Sequence, residues 1–83
     1  MTVSENEKKL VNVMATVFET VADQINEDAS PDTIETWDSL HHMNLVLALE
    51  EAFDIEFTED QTVEIMNYKL IKLVLQEHRV KFD

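Results

Sequence analysis

The sequence predicts an all-α chain, a small four-helix bundle of three main helices and one short helix in a single domain spanning 1–83. Two observations carry this: apolar residues recur at helical spacing in separate stretches, and the polar residues ahead of those stretches have the chemistry of helix caps. A third bounds it. A chain of 83 residues buries only about 60 to 65% of its unfolded surface, enough for one core and no second. Apolar residues at 45% and charged residues at 29% are the balance of an ordinary folding chain.

The first helix is announced by Ser4 with Glu7 three residues on, a capping-box pattern in which each side chain satisfies the other residue's backbone N–H. Leu10, Met14, Val17, Phe18 and Val21 follow as one apolar stripe, seconded by Val11 and Val13. From Ala22 to Trp37 the period breaks around Pro31, the only proline, and Ile25, Ala29 and Ile34 are isolated anchors. Loops beyond about 12 residues tend to be functional in compact domains. The second helix starts with Asp38 as N-cap and Ser39 as first residue. Its apolar set of Leu40, Met43, Leu45, Val46, Leu47, Leu49 and Phe53 wraps around more of the helix than one buried stripe requires. Some of these residues are expected to stay exposed. A short turn of helix follows at Gln61 to Met66, and a last helix from near Asn67 carries Tyr68, Leu70, Ile71, Val74 and Leu75, with Arg79 and Lys81 suited to its C-terminal end.

Composition removes whole classes of chemistry. Without cysteine there is no disulfide, thiolate metal site or cysteine nucleophile. Without glycine there is no phosphate loop, dinucleotide fingerprint or nucleophile elbow. A formal charge of -12, with no Lys or Arg between Lys9 and Lys69, repels nucleic acid and anionic membranes and favours basic protein partners. No signal-peptide core and no stretch near the ~20 apolar residues of a membrane span are present, so a cytoplasmic monomer is expected.

The chemistry concentrates at Trp37-Asp38-Ser39-Leu40. A serine in the first turn of a helix, behind a long loop, places its hydroxyl where backbone amides and the helix dipole favour an attached anion such as a phosphodiester. Ordinary capping explains the same Asp-Ser pair. Asp38-Ser39-Leu40, followed by Met43, Leu45 to Glu51 and Phe53-Asp54, resembles the acyl carrier proteins, whose hallmark is Asp-Ser-Leu at the head of the second helix. The likeness is strongest over 37–57, and the order of helices and loop extends it over nearly the whole chain.

The resemblance implies that Ser39 carries a 4'-phosphopantetheine arm, installed from coenzyme A by a phosphopantetheinyl transferase, whose thiol holds acyl groups as thioesters. Asp38 then helps to position the modification site. Leu40, Met43 and Leu47 become exposed contacts for acyl-loading ligases, acyltransferases or synthases with basic docking surfaces, to which Glu50 and Glu51 offer charge. Val46, Leu49, Phe53, Ile65, Tyr68 and Ile71 become the lining of an acyl pocket, and plain core packing is the alternative for each of them singly. Such a chain performs no chemistry itself and serves enzymes of fatty acid biosynthesis or wider lipid metabolism.

His41, His42 and Asn44 depart from the commonest pattern of that family, reduce negative charge beside Ser39 and point to a specialised pathway with its own ligase or transferase. Trp37 is similar to the Trp-Asp-Ser-Leu form of specialised stand-alone carriers and some peptidyl carriers, and an aromatic plug between loop and helix is expected of it. Three sharper readings fail. Asp38, Ser39 and His42 have no oxyanion hole to serve; His41 and His42 diverge by about 100° and cannot share a metal; Asp28, Ser30 and Asp32 lack the glycine and glutamate of a calcium loop. The expectation is an acyl carrier, with a peptidyl or aminoacyl carrier as near variant and an unmodified acidic helical adaptor as the reading from another class.

Overall fold

A computed structural model describes residues 5–82. Helix α1 (Glu5–Val17) turns Leu10 and Met14 into the core. The capping box expected at its start falls on Ser4, outside the described residues. Within the fold the Glu7 carboxylate accepts from Lys72 Nζ at 2.9 Å and from the Tyr68 hydroxyl at 3.3 Å, which ties α1 to the last helix. The helix closes sooner than its apolar stripe suggests. Glu19 adopts φ 56°, in the left-handed region, and Thr20 N donates to Ala15 O. The chain therefore leaves the helix axis after Phe18, and Val21 lies 62% exposed, outside the stripe to which its spacing assigned it.

The long connection is a chain of tight turns. A 3₁₀ turn (Ala22–Gln24) comes first. Asn26 Oδ1 then accepts from Asp28 N, Ser30 Oγ from Asp32 N, and Thr33 Oγ1 from Ser30 N, so short polar side chains satisfy the backbone locally. Ile25, Ala29 and Ile34 anchor it in the core as their isolation in the sequence implies. Ala29 O also accepts from Tyr68 N, and Thr36 Oγ1 donates to Phe18 O at 2.7 Å.

Helix α2 (Ser39–Phe53) packs on α1 and buries Leu45, Val46 and Leu49. Lys9 donates to Ala52 O at its C-terminal end, where a cation complements the helix dipole. Helix α3 (Glu59–Glu64) begins two residues before the expected Gln61 and ends before Ile65. The reason is a capping box between Thr58 and Gln61, which fixes the start at Glu59. Helix α4 (Tyr68–Glu77) starts where expected, with Asn67 Oδ1 accepting from Leu70 N. Arg79 lies beyond its end at φ 69°, and Val80 N donates to Leu75 O. Among the described residues the regular structure is helical throughout, in the four-helix arrangement the spacing predicts. No described helix is long and apolar enough to cross a membrane.

Candidate functional site

The site assembles where the long loop meets α2. Asp38 is extended at φ -112° and its carboxylate accepts from His41 N at 2.9 Å, the N-cap bond expected of it. That cap makes Ser39 the first helical residue and leaves it exposed, with a hydroxyl that makes no hydrogen bond among the described residues. An open groove of about 400 Å³ lies beside it, lined by Pro31, Trp37, Asp38, Ser39, His42, Met43 and Met66.

Three apolar side chains flank the serine on the outer face of α2. Leu40 is 68%, Met43 59% and Leu47 61% exposed, so the surplus of apolar residues in this helix does stand in solvent. Glu51 is exposed, whereas one carboxylate oxygen of Glu50 accepts from Phe57 N at 2.8 Å and holds the link between α2 and α3. Of the residues assigned to an acyl pocket, Val46, Leu49, Ile65, Tyr68 and Ile71 are buried together in the core, and Phe53 packs against them half-buried beneath Lys9. Burial, followed by the Glu7 carboxylate, pushes the Tyr68 hydroxyl up to about 12. The groove at Ser39 is lined by a different set.

The two histidines hold separate networks. The His41 ring lies between two carboxylates, with Nδ1 2.7 Å from Asp38 and Nε2 3.3 Å from Glu19. The bond to Asp38, seconded by Glu19, raises its pKa above the usual histidine value. The His41 backbone N–H, then its ring, lowers that of Asp38. His42 turns inward instead: Trp37 Nε1 donates to its Nδ1 at 3.1 Å, and its Nε2 lies 2.7 Å from Thr62 O of α3. Trp37 is buried, its ring centroid 4.7 Å from that of Phe18, and it plugs the loop against the helix as expected. Neither imidazole is hydrogen-bonded to the Ser39 hydroxyl.

Sequence reasoning did not find Glu19, Thr62, Pro31 or Met66 as neighbours of the site. Glu19 had no legible signal, since its place depends on the closure of α1. Among the described residues no group of three or more His, Asp or Glu could hold a metal ion. No protein-family model matches the chain, and no curated protein matches it.

Proposed function

We propose that the chain is an acyl carrier, with Ser39 the attachment point of a 4'-phosphopantetheine arm. The observation that supports this best is the exposed, unbonded hydroxyl at the first position of α2 beside an open, partly apolar groove. The residues fit such an arm: helix amides and dipole favour the phosphodiester end, and Trp37, Met43 and Met66 offer apolar surface beyond it. The arm supplies a terminal thiol that carries the cargo as a thioester.

On this reading Asp38 acts by holding the helix start in shape, and His41 holds Asp38. Leu40, Met43 and Leu47 meet the partner enzyme within an acidic surround that includes Glu51, so the docking surface of that enzyme is basic with apolar contacts. Glu50 contributes by keeping the α2–α3 link in place as well as by its charge. The cargo is acyl, and a peptidyl or aminoacyl group is the near variant.

The test is intact mass after incubation with coenzyme A and a broad-specificity phosphopantetheinyl transferase. One arm is expected on the wild-type chain and none on Ser39→Ala. No adduct on the wild-type chain, with a transferase that loads a control carrier in the same tube, overturns the proposal and leaves the unmodified acidic adaptor.

A further inference from the structure

His41 and His42 are neighbours in sequence, yet their partners demand opposite protonation states. An indole N–H only donates, so the Nδ1 of His42 that receives Trp37 Nε1 must carry a lone pair. A backbone carbonyl only accepts, so the Nε2 facing Thr62 O must carry the proton. Both bonds exist together in one form of the ring alone, the neutral Nε2–H tautomer. For His41 the partners are carboxylates on both sides, which accept when ionised, and both bonds are made only by a ring protonated on both nitrogens.

We infer that His42 is a positioning residue of the groove beside Ser39: in its neutral form it holds Trp37 as the groove wall, and protonation releases that wall. A second proton on His42 lands on Nδ1, where it meets the Trp37 N–H donor to donor. The indole keeps its contact with Phe18 and loses its hydrogen bond to α2. Both Trp37 and His42 line the groove, so the event occurs in its wall. His41, whose ring lies between the Asp38 and Glu19 carboxylates, makes no contact with the indole nitrogen.

The groups around His42 come from every side of the groove. The loop contributes Trp37 and Pro31, α3 the Thr62 carbonyl, and α2 Met43, Ser39, the Asp38 carboxylate and the adjoining His41. The carboxylates of Glu59, Asp60 and Glu64, also on α3, are exposed. The inference goes beyond the proposed function and needs no arm on Ser39.

The chain contains one tryptophan and three histidines, so both partners can be followed directly in the unmodified protein. Nitrogen-15 spectra of the histidine rings are expected to give His42 a pyridine-type Nδ1 and a pyrrole-type Nε2 in its neutral form. Trp37 emission should then change on acidification with the midpoint of the His42 titration, while far-ultraviolet circular dichroism stays constant. In His42→Gln, whose amide oxygen can accept the indole N–H without titrating, that step should be lost. A His42 protonated at Nδ1 when neutral, an emission flat across its titration, or an unchanged step in His42→Gln each overturns the inference. The first two readouts use the wild-type chain and hold even if the variant fails to fold.

Discussion

Helices α1 and α2 lie against each other and dispose of their apolar residues in different ways. In α1, Leu10 and Met14 are buried, and Val11, Val13, Ala15 and Val17 pack half-buried around them. Its apolar content is used up by the core. In α2 the buried stripe is Leu45, Val46 and Leu49, while Leu40, Met43 and Leu47 stand well over half exposed on the other side. A helix that keeps three large apolar side chains in water, next to an exposed serine, has a surface that folding does not account for. The contrast sets α2 apart from α1, and the proposed function draws on that exposed face.

The sharpest way to break that contrast is to cut one residue from each side of α2. Leu49→Ala opens a cavity at a fully buried position and should destabilise the fold by about 2–5 kcal/mol. Met43→Gln removes a largely exposed side chain in favour of another good helix former and should stay within about 0.5 kcal/mol. Urea denaturation of both variants reads the difference. If Met43→Gln proves as damaging as Leu49→Ala, Met43 belongs to the packing and the proposed docking surface loses its central member.

The ends of the same two helices differ as well. In a chain without glycine, α1 closes on Glu19 at φ 56° and α2 on Asp54 at φ 54°, each in the conformation glycine takes most readily. Asp54→Gly should stabilise the protein by about 1 kcal/mol, because it relieves the left-handed backbone and removes a negative charge from a helix C-terminus. Glu19→Gly gains the same backbone relief but severs the contact with His41, so its net gain should be smaller. Thermal melting of the two variants gives the order, and a larger gain for Glu19→Gly would mean that the carboxylate beside His41 contributes nothing.

What was legible in the sequence follows from how local each cause is. Caps declare themselves by residue type and spacing: Asp38 and Asn67 fix the starts of α2 and α4 within a few residues of chain, whereas the capping box of Thr58 with Gln61, which starts α3 two residues ahead of the expected Gln61, was not read. Loop anchors such as Ile34 are equally plain, being apolar residues in a polar stretch. The end of α1 was less so, because Val21 continues the helical period and only the left-handed turn at Glu19 takes it out of the stripe. Within the site, Ser39 and its exposed flank could be read from one helix. The groove could not, since Pro31, His42 and Met66 come from three separate elements. The partition of the two histidines was also hidden: a rotation of about 100° sends one ring to carboxylates and its neighbour to an indole.

The smallest expected effect concerns the polar tie that joins the closure of α1 to the start of α2. His41 reaches both Glu19 and Asp38, and its pKa is raised by them. A group whose folded pKa is raised contributes stability that is complete below its unfolded value, near 6.5, and is lost as pH rises through the folded value. Asp38 works in the other direction: its lowered pKa gives a contribution that is complete above the ordinary carboxylate value and is lost as pH falls through the folded one. The tie is therefore whole in mildly acidic solution, where Asp38 is ionised and His41 is charged. His41→Gln should lower the melting temperature most in that range, and the gap to wild type should narrow as pH rises through the folded pKa of His41. The change is small because both partners are open to solvent and salt. A gap that widens above neutrality would show that His41 supports the fold as a neutral ring. Glu19 would then be a bystander, and the polar joint between the closure of α1 and the start of α2 would be gone.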